Sequence, residues 1–579
     1  MIPDIPTDKI KLTKFTLDLV ETCRASIGLR SAYYRMLHGI AETGRYDGTK
    51  SLVNMMYAHL TRTAAMLFSP VELEFKCAFA RPVPSDVQKK GRAFAHQVTE
   101  LWDNNNIDME FGRGVLEALK YGVCFLKQWP QMEGEIGKEY PTYHSKLVMP
   151  WQFGVYREDE NKLENQEVMT ETSTLTIPEV WYRIYKLPDA RKLLDRIKSH
   201  ARKGNSDYEP SSFFHQVLST NQLNTTGQAG LVRPGGIVNL QNDPVTAIMG
   251  PVLNVDVVQM HEVWVKSEEN AYITLQLIEP DILINKFKHD NLLISNETGN
   301  GNIHPYTLIQ PNEVTNWIWG RSELVDIVEP QQLLSTWMDD AKRLLGLQID
   351  RFLAIVGEAG LSDEVYGQAR LAGYLNISSP ATKIEDLTPD MPEQLLPMIK
   401  FIIETINTLG GFPPILQGQG EAGVRAGVHA ETLVKTGSPT LRDRALLVER
   451  QCASAADKLA TIMEAKDESF YWSDGDNVEQ IEKTKFLISQ LPPWWKLQVD
   501  SHKSSPIFAN ESGQLIFAGA KFGWVDGEYG LDNMPFPNKE MAQQRLRERE
   551  AKQAALMQEL LKRDPEALER IMAKRGGHH

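Results

Sequence analysis

The chain has 579 residues, is 42% hydrophobic and 24% charged, and carries a formal net charge of -14. Its length exceeds a single simple core and implies two to four structural units, with a composition ordinary for a globular protein. The acidic balance speaks against a conventional sequence-reading DNA binder, which would show a basic domain, but leaves open a surface that nucleic acid passes without adhering.

Residues 15–68 read as helices. In "SLVNMMYAHLTRTAAMLF", Leu52, Met55, Met56, His59, Leu60 and Ala64 fall on one stripe, with His59 read as a structural histidine inside a helix pair. "PVELEFKCAF" alternates like a strand. From Val87 to Lys127 the pattern is helical again, ending at the proline of "GVLEALKYGVCFLKQWP" before strand-like "KLVMPWQFGVYRED". Residues 203–250, rich in Asn, Gly, Ser, Thr and Pro, show no sustained period and read as a long exposed insertion. "MHEVWVKSEENAYITLQLIEPDILINKF" then gives two or three strands in a meander.

A long helix follows. Leu324, Ile327, Gln331, Leu334, Trp337, Ala341, Leu344 and Gln348 recur at spacings of three and four, Ser322 suits its N-cap, and Pro330 bends it or marks its true start. A straight run from Ser322 to Leu353 would measure about 48 Å. Residues 355–392 read as a small α/β excursion. A second helix carries Leu395, Ile399, Ile402, Ile406 and Leu409 at helical spacing. Two helices flanking a compact insert would lie side by side as a stalk. "GGFPPILQGQGEAGVRAGVHAETLVKTG" leads into a further helix with Ser438 as N-cap and Pro439 at its first position, kinked at Gly437–Pro439. Its apolar face is Leu441, Ala445, Val448, Cys452, Ala456, Leu459 and Met463. Residues 466–536 are aromatic and irregular, and 537–575 form a charged helical tail.

The glycine-rich stretch does not satisfy the requirements of a phosphate loop. A Walker loop needs GxxxxGK[ST] after a strand, whereas Gly418, Gly420, Gly423 and Gly427 follow an apolar helix and Lys435-Thr436 lacks the preceding glycine. The GxGxxG match at Gly418–Gly423 lacks a βαβ context. No HExxH, GxSxG or Cys/His metal pattern occurs, and Asp474 and Asp476 lack the rest of an EF-hand. Asp339 and Asp340 are adjacent on a helix and point apart, as solvated or paired charges. Trp494-Trp495 suits a core or a subunit contact better than base stacking. Cys23, Cys77, Cys124 and Cys452 form no CxxC pair and read as reduced thiols of a cytoplasmic setting. No cofactor, metal or enzymatic activity is expected. "MIPDIPTDKIKLTKF" has no apolar core of a secretory signal, no apolar run reaches the roughly 18 residues of a membrane span, and the closing "GGHH" (576–579) reads as a tag remnant.

Taken in order, these segments resemble the portal proteins of tailed double-stranded DNA bacteriophages. "YGVCFLKQWP" followed by "VMPWQFGVY" is similar to the family's wing. "WIWGRSELVDIVEPQQLLSTWMDDAKRLL" is similar to its wing-to-stem transition, where a Gly-x-Ser turn starts the first stem helix. "KSSPIFANESGQLIFAGAKFGWVDGEYGLDNMPFPNKEMAQQRLRERE" resembles the run into the crown. The insertion at 203–250 and Pro330 are departures. The resemblance implies an α+β, mainly helical subunit: wing 1–316, first stem helix 317–353, clip 354–391, second stem helix 392–409, tunnel loop and kinked tunnel helix 410–466, and crown 467–575.

It further implies a ring, typically of twelve copies, at one capsid vertex of the virion. That ring assembles in the host cytoplasm and serves genome packaging and ejection. Expected partners are the chain itself, the major capsid protein, scaffolding protein, the terminase large subunit, then the head–tail adaptor, with duplex DNA passing non-specifically and no membrane. A conduit must avoid tight phosphate neutralisation, which an acidic ring serves. Candidate tunnel residues are Gly418, Gly420, Gly423, Arg425, Gly427, His429 and Lys435 on the loop and Lys342, Arg343 and Arg351 on the stem. An intersubunit salt bridge or a solvated face is equally open for each cation. Asp363, Glu364 and Arg370 are the candidate clip docking surface. Rival readings are another ring-forming head–tail connector, although those chains are generally shorter and lack the stalk, and a nucleotide-dependent phosphotransferase using the glycine-rich loop.

Overall fold

The computed structural model describes residues 5–25, 27–45, 51–70, 73–133, 140–185, 187, 189–203, 256–266, 272–288, 304–349, 353–356, 383–386, 390–410, 439–465, 469–471, 485–499 and 552. Among them are ten α-helices and five sheets, every strand pair antiparallel, with helix the larger share. The chain divides into two units. The first holds Met1–Ala64, Arg113–Arg444 and Thr461–Lys466; the second holds Ala65–Gly112, Ala445–Ala460 and Asp467–His579.

The first unit is built on a six-stranded sheet. Its main order is β4 (Phe153–Val155), β5 (Val168–Thr176), β7 (Asp256–Lys266), β8 (Tyr272–Ile278) and β9 (Ile282–Lys288), and β6 (Arg202–Lys203) pairs with the start of β7. The meander expected from the sequence is β7–β8–β9. Strand alternation sorts its residues by face. Val263 and Val265 join Val168 and Leu275 under Leu12, Leu19, Val20 and Cys23 of helix α1 (Lys9–Arg24). Asp8 caps that helix, accepting from the Ile10 and Lys11 amides at 3.0 Å. Val258 and Met260, on the opposite face, pack with Leu175, Ile278 and Ile284 beneath Val180 and Ile184 of α6 (Ile177–Ile184) and Ile197 of α7 (Ala190–His200).

A three-stranded sheet, β10 (Tyr306–Ile309), β2 (Cys124–Glu133) and β3 (Tyr140–Val148), meets the larger sheet through buried aromatic contacts, Phe125 on Phe153 and Tyr306 on Phe153 and Trp264, and through buried charge. Lys127 and Lys146 are directly opposite each other on β2 and β3, and Glu171 and Glu262 are directly opposite on β5 and β7. The Lys127 ammonium lies 2.6 Å from Glu171 and 2.8 Å from Glu262, and Lys146 lies 2.5 Å from Glu171.

The second unit pairs β1 (Phe75–Phe79) with β15 (Trp495–Val499) under α4 (Ser85–Asn104), beside the hairpin-like pair β13 (Ser469–Tyr471) and β14 (Lys485–Leu487). Phe94 stands edge-on to both Phe470 and Trp495, and Phe75 to Trp102. Trp495 thus serves the core, while Trp494 is half-exposed beneath the Arg81 guanidinium. A strand assigned by sequence to the wing is thus hydrogen-bonded to one assigned to the crown.

The helical pattern read through Lys127 is corrected. It breaks at Asn105–Asn106, where Asn106 has φ of 53°, and α5 (Ile107–Tyr121) stops at Gly122, with φ of 101°. "CFLKQWP" is therefore strand β2, and Pro130 is a strand residue facing Tyr143. The cause is a tight crossing. Gly122 faces Gly320, itself at φ of 60°, and a side chain on Gly122 would meet the Trp319 carbonyl oxygen at 2.6 Å. Gly320 thereby sets the turn in which Ser322 donates to the Lys120 carbonyl at 2.6 Å and caps the next turn by accepting from Leu324 N.

Candidate functional site

After a single 3-10 turn at Glu323–Asp326, helix α8 (Val328–Ile349) begins, so Pro330 sits in its first turn, where its missing amide costs little. Gln331 occupies the middle of the apolar stripe for a polar reason. Its amide nitrogen donates to the Val53 carbonyl at 2.8 Å and its oxygen accepts from Met55 N at 3.1 Å. Ser335 accepts from the Gln331 amide at 3.1 Å, and Arg45 reaches both the Ser335 carbonyl and Asp339. The base of α8 is thus clamped to the segment between α2 (Ile27–Thr43) and α3 (Met55–Leu67).

Helix α9 (Leu395–Leu409) packs on α8 and buries Ile399, Ile402 and Ile406. At the far end, β11 (Leu353–Val356) pairs antiparallel with β12 (Lys383–Asp386). The order is therefore helix, strand, intervening segment, strand, helix, with like elements paired. The outer surface of the helix pair carries large apolar side chains among its charges: Leu396, Phe401 and Leu409 are 63%, 68% and 52% exposed, and Leu333, Leu345 and Met398 are exposed as well. A groove of about 550 Å³ runs between the helices past Pro330, Leu333, Thr336, Phe401 and Thr405.

Both ends of the 411–438 segment are fixed on one buried cluster. Gly410 closes α9 with its α-carbon against the His59 ring, so that a Cβ there would collide with the imidazole. Helix α10 (Pro439–Ala465) begins at Pro439, and one turn later Arg444 donates to both oxygens of Glu323 at 3.0 and 2.8 Å. Glu323 also accepts from Asn312 at 2.9 Å and lies 3.2 Å from His59 Nε2. An ionised carboxylate only accepts, so His59 carries its proton on Nε2. Burial alone would raise the Glu323 carboxyl, but the His59 hydrogen bond, the Arg444 guanidinium and Asn312 together bring it down to about 2. Gly410→Ala is expected to lower stability by about 1–3 kcal/mol, since His59 is held and cannot give way. Thermal unfolding checks this, and His59→Ala in the same chain should relieve part of the loss.

Of the candidate site residues, Lys342 and Arg343 lie among the described residues, exposed on α8 as neighbours in sequence. Arg351, Asp363, Glu364, Arg370, Gly418, Gly420, Gly423, Arg425, Gly427, His429 and Lys435 lie outside the described residues, as do the 203–250 insertion beyond Lys203, Asp474, Asp476 and all of 537–575 except Lys552. The sequence reading found His59 as a structural residue but missed Glu323 and Arg444. Among the described residues no group of three or more His, Cys, Asp or Glu could hold a metal ion, and no helix is long and apolar enough to cross a membrane. No family model matches the sequence, and no curated protein matches it.

Proposed function

We propose that this chain is the subunit of a phage portal: a ring at one capsid vertex through which duplex DNA is packaged and later ejected. The terminase large subunit docks on it first and the head–tail adaptor afterwards, and assembly involves the capsid and scaffolding proteins. The observation that carries this reading is the paired helices α8 and α9, whose outward surface keeps Leu333, Leu396 and Phe401 in water in a single copy. Leu333 and Phe401 also line one groove between the helices, and exposed apolar side chains gathered in this way suit a contact; a heterologous contact repeated around a closed circle makes a ring. In this reading the glycine-rich stretch 418–427, which lies in sequence between α9 and α10, supplies the element that retains DNA in the tunnel.

Electron micrographs of the purified protein test this directly: rings with a central hole are expected, and lone particles under every assembly condition overturn it. An ATPase assay should find none, since the motor is the terminase; robust turnover would favour the phosphotransferase. Deleting residues 418–427 is expected to leave rings intact and reduce stable DNA retention after packaging, and unchanged retention would remove the loop from the mechanism.

A further inference from the structure

The six-stranded sheet is electrically polarised along strand β5. The acidic connection 156–167 enters β5 at Val168, and the α6–α7 hairpin leaves it at Thr176, the last of the strand's 9 residues. The two features therefore sit at opposite ends of the strand, about 26 Å apart at about 3.3 Å per residue. The hairpin, 177–203, holds eight basic and three acidic residues, for a net +5 in a chain of net -14. Segment 156–167 holds five acidic and two basic residues, for a net -3, and Asn161 ties Glu313 to it through a 3.3 Å hydrogen bond.

Each end also shows aromatic surface. On α6, Val180 and Ile184 face the sheet, leaving Trp181, Tyr182 and Tyr185 at 36%, 75% and 50% exposure. At the acidic end Tyr156 and Trp317 are 48% and 38% exposed, and the Trp317 amide is held by Asn161.

We infer that the basic, aromatic hairpin of one copy docks on the acidic connection of the next. Two features oppose a nucleic-acid surface and favour a protein one. Part of the positive charge is already spent internally, Arg196 on Asp281 at 2.6 Å and Lys192 on Asp189 at 3.4 Å. The rest includes Arg183 and Arg191 beside Trp181, Tyr182 and Tyr185, residue types enriched at the hot spots of protein interfaces. Because the complementary surfaces lie at opposite ends of one sheet, the contact is head-to-tail. Repetition of such a contact continues until it closes. The inference rests on the ring reading and names a contact that would close the circle.

The test reverses each end separately and then both together, following assembly by sedimentation velocity and electron microscopy at low and high salt. Arg183→Glu with Arg191→Glu, and independently Asp159→Lys with Glu164→Lys, should each weaken association by about tenfold or more, since like charges then face each other. All four changes in one chain should restore assembly, because complementarity is swapped rather than lost; circular dichroism confirms that each variant folds. Unchanged assembly of both half-reversed variants overturns the inference while the ring reading stands. Failure of the fourfold variant to reassemble also overturns it. Intact rings of the Arg183/Arg191 variant that no longer retard duplex DNA would overturn it in favour of nucleic acid. A wild-type chain that stays single at every salt concentration brings down both readings.

Discussion

Glu323→Ala is expected to destabilise the first unit by about 3–5 kcal/mol, the usual loss when one partner of a buried ion pair is removed. The side chain is 6% exposed and answers three donors at once. Without it the Arg444 guanidinium keeps its charge and loses both acceptor oxygens, and His59 and Asn312 lose an acceptor each. Denaturant unfolding measures the effect. Arg444→Ala should cost a similar amount, and the double variant much less than the sum, because the two act as one interaction. The pH dependence has a definite sign. The Glu323 pKa falls from an ordinary value of 4.5 to about 2 on folding, so its contribution is complete above about 4.5 and disappears as pH falls toward about 2. The wild type should lose stability through that window more steeply than Glu323→Ala does. Parallel acid limbs for the two proteins, or a cost within 0.5 kcal/mol typical of surface changes, would mean that the cluster does not hold the ends of 411–438.

The helices could be read from the sequence because each residue's burial follows from its own neighbours three and four places away. The stripe Leu441, Ala445, Val448, Cys452, Ala456, Leu459 and Met463 is buried throughout, as are Ile399, Ile402 and Ile406. The β7–β8–β9 meander could be read for the same reason, from period-two alternation bounded by turn residues. "GVCFLK" could not, since a short apolar run satisfies both periods. What decides it is the approach of Gly122 to Gly320, nearly two hundred positions apart. The polar clusters escaped for a related reason. Glu323 meets Arg444 across 121 residues, and Lys127 meets Glu171 and Glu262 across 44 and 135. Such partners are chosen by strand register and helix docking, which no local pattern encodes. Gln331 lay in plain view within an apolar stripe, but its reason, the Val53 and Met55 backbone, is equally distant in sequence.

Lys127→Met should be as damaging as Glu323→Ala, by a different route. Glu171 and Glu262 are direct cross-strand neighbours, an arrangement that destabilises a sheet when nothing intervenes. Lys127 intervenes, and Tyr306 adds a hydrogen bond to Glu171 at 2.7 Å. Burial on its own would push the Glu171 carboxyl up, but Lys127 and Lys146 bring it down to about 2. Removing Lys127 leaves two adjacent buried carboxylates against Lys146 alone, for an expected loss of about 3–5 kcal/mol. Since the fault is then excess negative charge, mild acid should narrow the gap between variant and wild type rather than widen it. Changing Glu171 and Glu262 to Gln in the Lys127→Met chain should recover part of the loss, because a neutral amide leaves less charge stranded. The measurement is unfolding free energy against pH for the three proteins. A gap that grows on acidification, or a triple variant no better than Lys127→Met, would show that the sheets are held together by their apolar contacts and that the charges merely accompany them.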